Sequence, residues 1–312
     1  MKYDATGIWF EAFKALGEPS EILFDFKVKD QNHSEKLLYS HSQGDATAAI
    51  YEISSKYDFI LSKVVEKTSP PPVKFLTYLK QILIFNYHAR PRFKKLWPFA
   101  ITACTTTETL YAHFVIDKHA VIELKSKLQH QKISLNTHLL HTLNLATRSY
   151  LKPVRKDLVW IVPVNFRREL GLKTDAPGNQ AANFTCVIED ETALQLQQNI
   201  SGLLKSKRHW GTWFWQNASI WMPFSLVKFF TKARLHPNYC AGVFTNLGDW
   251  QSPTEFSHFT FFANPILSHP IVASSLEMNG ALTLGIRLYP SFPLTSQQLQ
   301  GYLQTWKNNI LR

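Results

Sequence analysis

Cysteine is scarce in this chain: Cys104, Cys186 and Cys240 are the only three in 312 residues. Odd in number and far apart, they suggest neither a disulfide framework nor a zinc knuckle, and a reducing compartment fits them best. The first ten residues include Asp4 and lack the apolar centre of a secretory signal, so no export segment is read there and a cytoplasmic location is expected. There is no glycine-rich phosphate loop, which leaves nucleotide-driven chemistry without support. Zinc-finger spacing, an RNP-like aromatic strand and a concentrated basic run are also missing, so no nucleic-acid partner is expected. No internal repeat period is visible. Acidic residues are few, with 23 Asp and Glu against 34 Lys and Arg, a net charge of +11. The summed field favours anionic partners, such as a lipid surface or a phosphate-bearing carrier.

Helix and strand patterns alternate along the rest, and 45% hydrophobic content in 312 residues is enough for a substantial core. Ile22 to Val28 and Lys36 to Tyr39 read as two strands of a hairpin around Asp30-Gln31-Asn32. A helical period runs from Thr47 to Val65 and is stopped by Pro70-Pro71-Pro72. A second helix is expected over Lys74 to Tyr87, and the basic, proline-bearing stretch Arg90 to Pro98 reads as a connection between lobes. Further on, strands are expected over Thr109 to Ile116, Leu158 to Val164 and Ala182 to Ile188. Helices are expected over Ala120 to His130, over Leu135 to Tyr150 with Ser134 as its N-cap, and from Thr192 to about Ser206. Asn279-Gly280 is the dipeptide of a tight type I′ hairpin between Ile271 to Met278 and Ala281 to Tyr289. The chain closes with a helix over Gln297 to Leu311, carrying Leu299, Leu303, Trp306 and Ile310 on one face.

The residues that point to chemistry are Ser40-His41-Ser42-Gln43-Gly44-Asp45-Ala46, on a loop between a strand and a helix. Histidine titrates near neutrality, so His41 can take a proton from an attacking hydroxyl, amine or thiol and return it to a leaving group. Asp45, four residues on, would hold the loop. An H-x-x-x-D spacing by itself is more often that of a surface-loop histidine than of a catalytic one. His138 and His141 sit three apart on a helix, but no third ligand stands at a telling spacing, and no metal is expected.

The segment resembles the HHxxxDG motif of the acyltransferase superfamily of chloramphenicol acetyltransferase, peptide-synthetase condensation domains, wax-ester synthases and alcohol acetyltransferases. His41 matches the second histidine and Asp45 the aspartate, while Ser40 and Ala46 replace the first histidine and the glycine. Ile133 to Ala146 is similar to a helix that opens with Thr-x-Asn in those proteins. Pro163-Val164-Asn165-Phe166-Arg167, followed by Gly178-Asn179, is similar to their P-V-N-L-R and G-N pair. The resemblance implies His41 as general base and an ion pair between Asp45 and Arg167, with Arg168 as the fallback; a bidentate pair would join the lobes. Thr245-Asn246-Leu247-Gly248 resembles their S/T-N-x-G loop, so Thr245 and Asn246 become candidates for a tunnel wall or for donors to an oxyanion. The same four residues also read as an ordinary turn at the end of a strand.

The fold so implied is a mixed α/β, chloramphenicol acetyltransferase-like two-layer sandwich. A shortened first lobe over residues 1–95 would carry the motif, and residues 96–312 would form the second. The activity implied is acyl transfer from coenzyme A or a phosphopantetheine-linked carrier protein to the hydroxyl or amine of a small molecule or lipid, with no resident cofactor. The competing reading is a non-catalytic scaffold or binding protein that keeps the fold. Between Arg208 and Lys228 lies an aromatic-rich stretch without charge. Read with its flanks, 208–234 suits core or tunnel-wall helices first, then peripheral membrane contact, and a membrane span least.

Overall fold

The computed structural model describes residues 5–57, 59, 61–63, 75–88, 95–104 and 108–312. A seven-stranded mixed sheet forms its centre. Its strands are β3 (Ser62–Lys63), β4 (Tyr111–Ile116), β5 (Leu158–Asn165), β6 (Ala181–Ile188), β7 (Gly242–Gln251), β9 (Ile271–Met278) and β10 (Ala281–Leu288). The order is β4-β10-β9-β7-β5-β6, with β3 pairing the far end of β7. β7 runs parallel to both β5 and β9, and the other pairings are antiparallel. A smaller sheet, ordered β2-β1-β8, joins β1 (Glu21–Val28) and β2 (Glu35–Ser40) to β8 (Phe256–Phe262).

Side-chain alternation explains how the layers meet. Along β9, Ile271 and Ala273 belong to one hydrophobic cluster and Leu276 and Met278 to the other, because alternate residues face opposite sides of the sheet. Both sides are covered, and every residue of β9 is buried. The first cluster fills the face under α4 (Lys118–His130), α5 (Leu135–Ala146), α6 (Ala193–Lys205) and α9 (Ser296–Leu311). On α9 the buried residues Leu299, Tyr302, Leu303, Trp306 and Ile310 keep to one helical stripe. The second cluster lies between the small sheet, α2 (Ala46–Lys56) and the central strands, with Phe24, Phe26, Ile50, Ile53 and Trp250 at its centre. Gly285 of β10 lets the Phe262 ring of β8 approach, since a Cβ there would stand 2.3 Å from it.

Most expected elements are present, and their signals are local. Asn279 and Gly280 both adopt positive φ, at 52° and 86°, as a type I′ turn requires. Ser134 caps α5, and Thr192 with Gln195 closes a capping box on α6.

Two boundaries differ from the sequence reading. The helix expected to reach Val65 ends at Lys56, and the chain then turns so that Tyr57 and Phe59 pack edge-on against Phe26; this tertiary contact overrides the helical period. The helix expected to reach Tyr150 ends at Ala146 and widens into a π-turn over Thr147–Leu151, where the Thr147 hydroxyl engages Leu143 O and Tyr302 Oη. α3 spans Phe75–His88. Ile60, Val64, Lys74, the Pro70–Pro72 stop and residues 90–94 of the expected connection lie outside the described residues.

Candidate active site

His41 leaves the end of β2, and its own backbone N–H donates to Ser20 O at 3.0 Å. Four residues on, Asp45 is the N-cap of α2: its Oδ1 accepts from Ala48 N at 2.9 Å. Its other oxygen, Oδ2, accepts from Arg167 Nη1 at 2.6 Å and from Gln180 N at 3.0 Å. Arg167 is only 2% exposed and is held on every side. Its Nε and Nη2 donate to Ala176 O at 2.9 and 2.8 Å, and Nη2 also to Gly178 O at 3.0 Å. The pair is therefore not the bidentate fork expected from the sequence. One guanidinium arm reaches the carboxylate, and the rest of the group ties down the loop between β5 and β6. Arg168 is not needed as the fallback.

The loop so held delivers Asn179 to the catalytic candidate, with Asn179 Nδ2 3.0 Å from His41 Nδ1. A carboxamide can present either its NH2 or its oxygen at such a place, and the choice sets the tautomer of the ring. With the oxygen inward, Nδ1 carries the proton and Nε2 has the free lone pair that a base requires. On the other side, Phe10 of α1 (Ala5–Lys14) stacks on the imidazole with centroids 3.7 Å apart and planes 12° from parallel. Burial pushes the His41 pKa down to about 4, against the opposing effects of its own carbonyl, the Asp45 charge and the Gly44 carbonyl. The ring is neutral at pH 7.

His41 borders a cavity of about 340 Å³ on the small-sheet side of the central sheet, and Thr245 and Asn246 border the same cavity. β7 does not end at these residues. It continues to Gln251 through a bulge between Asn246 and Asp249, where Gly248 takes φ 78°, so the reading as a strand-ending turn is corrected. Asn246 Oδ1 accepts from Gly248 N at 2.7 Å, which leaves its NH2 as the donor for the cavity. Among the lining residues Asp45 is the one carboxylate, and it already faces Arg167.

The aromatic stretch after Arg208 forms α7 (His209–Ala218), a short turn over Ser219–Trp221, and α8 (Phe224–Arg234). Trp210 and Trp213 pack on Phe166 at 5.0 and 4.8 Å, while Thr212 and Trp215 line the cavity. α7 is thus a core and cavity-wall helix. Its start is fixed by Glu169, which accepts from His209, Trp210 and Lys207 at 2.9, 2.6 and 3.2 Å. Burial raises the Glu169 pKa, but those partners outweigh it and leave the value at about 2. No helix among the described residues is long and apolar enough to cross a membrane. His138 and His141 lie against the carbonyls of Ile310 and Glu191, and the described residues contain no group of three metal-ligating side chains.

Sequence reasoning missed Phe10, because no motif marks a helix that arrives over the histidine from the start of the chain. For Asn179 the Gly178-Asn179 pair was a signal, but it gave no role.

No family model and no curated protein matches the sequence. Solved structures do. The chain is similar to the epimerization domain from the third module of tyrocidine synthetase B, at 14% identity over 94% of this chain and 71% of that one, with a TM-score of 0.55. It is also similar to the condensation domain of the Monacolin K polyketide synthase MokA, at 9% identity over 93% of this chain and 71% of that one, with a TM-score of 0.56. A third is the TRI3 trichothecene 15-O-acetyltransferase of Fusarium sporotrichioides, at 14% identity over 76% of this chain and 51% of that one, with a TM-score of 0.50. The mixed α/β architecture is thus the fold of condensation domains and related acetyltransferases.

Proposed function

We propose that this protein transfers an acyl group from a thioester to a hydroxyl or amine acceptor, with His41 as general base. The observation that carries this reading is the convergence of His41, Asn179, Thr245 and Asn246 on one cavity, behind a loop locked by Asp45 and Arg167. His41 Nε2 takes the proton of the acceptor as its oxygen or nitrogen attacks the thioester carbonyl. The resulting oxyanion is stabilised by the Asn246 NH2 or the Thr245 hydroxyl. Collapse breaks the C–S bond, and the imidazolium returns the proton to the departing thiolate, so charge and protons balance.

The donor is coenzyme A or a phosphopantetheine-linked carrier. Carrier delivery is supported by the fold's occurrence in domains of peptide and polyketide synthases, among them one within a four-domain nonribosomal peptide synthetase. The net charge of +11 suits either anionic donor.

A second reading, a binding module without turnover, is favoured by one feature: the Phe10 ring covers a face of the imidazole and contributes to its burial. One experiment separates the two. The protein is incubated with acyl-coenzyme A and a set of alcohols and amines, and free thiol is followed with a chromogenic reagent. Release that falls at least a hundredfold in His41→Ala supports acyl transfer. Equal release by both proteins ends the assignment of His41, and no release from acyl-coenzyme A or acylated carrier supports the binding module.

A further inference from the structure

α8 has two unlike sides. Val227 and Thr231, one turn apart, are buried where the helix packs on α1. At about 100° per residue, Phe229 points directly away from them, with Leu226 and Phe230 beside it. Phe229 is 64% exposed, Leu226 and Phe230 are each 40% exposed, and Phe224 at the helix start is 46% exposed. The preceding turn adds Trp221 at 88% and Ile220 at 54% exposure. Six large apolar side chains within eleven residues are therefore exposed to solvent.

Within the segment itself the charge has one sign. From Thr192 to Gly248 the sequence contains no Asp or Glu; of the cations within it, Lys205 ends α6, Lys207 is paired with Glu169, and Arg208 and Arg234 line the cavity, which leaves Lys228 and Lys232 for the apolar face of α8. Lys228 and Lys232 lie one helical turn apart on the flank of the apolar face. Lys232 is exposed and Lys228 half-buried, a position from which the ammonium can reach past the hydrocarbon stem.

We propose that Ile220, Trp221 and α8 form a docking surface for an anionic lipid bilayer. A tryptophan and phenylalanines at the depth of the headgroups, with lysines at the rim, are what an interfacial helix requires. Lys228 and Lys232 beside the apolar side chains complement the negative charge of such a bilayer, and neither α8 nor the turn before it carries an Asp or Glu that would repel phosphate. The docking surface is also joined to the candidate active site: α8 supports α1, whose Phe10 covers His41, and Arg234 at the end of α8 lines the cavity. The docking proposal stands apart from the chemistry, because it is read out without turnover.

The test is co-sedimentation of the whole protein with vesicles of phosphatidylcholine alone and of phosphatidylcholine with phosphatidylserine. Binding to the mixed vesicles, at least tenfold stronger than to the neutral ones, is expected. The doubles Trp221→Ser/Phe229→Ser and Lys228→Glu/Lys232→Glu should each lower it roughly tenfold or more. Leu38→Ser, at an exposed leucine elsewhere, should leave it unchanged. Thermal melting checks that all variants are folded. No sedimentation with the mixed vesicles, or equal sedimentation by the variants, overturns the proposal. So does a concentration-dependent dimer that the tryptophan-phenylalanine double abolishes, since the surface would then be covered by a second copy.

Discussion

Arg167 Nη1 stands 2.6 Å from Asp45 Oδ2, joining residues 122 positions apart in a contact that is almost wholly buried. The carboxylate also caps α2, and the guanidinium also holds two carbonyls of the β5–β6 loop. One contact therefore sets the His41 loop and the Asn179 loop relative to each other.

Removing one partner strands the other. Asp45→Ala or Arg167→Met should cost about 3–5 kcal/mol, because an uncompensated buried charge or a set of unmet carbonyls remains. Arg167→Lys should recover only part of this, since one ammonium cannot reach both Asp45 and the carbonyls of Ala176 and Gly178. Urea unfolding measures the loss, and thiol release should fall with it as the loop loosens.

Asn179 acts on the imidazole from the side opposite the chemistry. Asn179→Leu removes the partner of Nδ1, and kcat should fall about ten- to a hundredfold with little change in melting temperature. Asn179→Asp places a carboxylate at 3.0 Å from Nδ1 and should raise the His41 pKa. Histidine ring NMR and the pH profile of thiol release report that rise, which a merely structural role of Asn179 would not produce.

Two histidines make stability depend on acid. Burial holds His41 at about 4 and His269 at about 3, below the ordinary histidine value of 6.5. The unfolded chain binds protons to these side chains at a higher pH than the folded one does, so stability is intact above pH 6.5 and falls as pH drops toward the folded values. The His41 shift alone corresponds to about 3 kcal/mol by pH 4. Urea midpoints measured from pH 7 to pH 4 should fall, and His41→Gln and His269→Gln should each flatten the curve. Phe10→Ala should open His41 to water and move its titration upward toward 6.5, as followed by NMR.

Gly242 is where β7 meets both neighbours. A Cβ there would lie 2.2 Å from Ile271 O and 2.9 Å from the Trp160 ring. Neither can yield, one being backbone and the other a fully buried side chain, so Gly242→Ala should cost about 3 kcal/mol in a denaturant melt.

Local rules carried much of this structure into the sequence. The Asn279-Gly280 hairpin, the caps at Ser134 and Thr192 and the stripe on α9 depend on residues close in the chain, and each is legible from them. β5 and β6 were also legible, as apolar runs. The breaks at Lys56 and Ala146 were not, because Tyr57 answers to Phe26 and Thr147 to Tyr302, partners that only folding brings near.

The candidate site divides in the same way. The sequence by itself determined that His41 and Asp45 share a strand-to-helix loop and that Arg167 follows an apolar strand, since these are matters of spacing. Tertiary structure decided that Arg167 gives Asp45 one arm and the loop carbonyls the others, that Asn179 meets Nδ1, and that Phe10 covers the ring. It also decided that β7 bulges through Asn246 and Gly248 instead of ending there. The physical reason is that donor geometry, burial and the shift of a histidine's pKa depend on atoms from distant parts of the chain, and their positions are fixed only when the two sheets pack together.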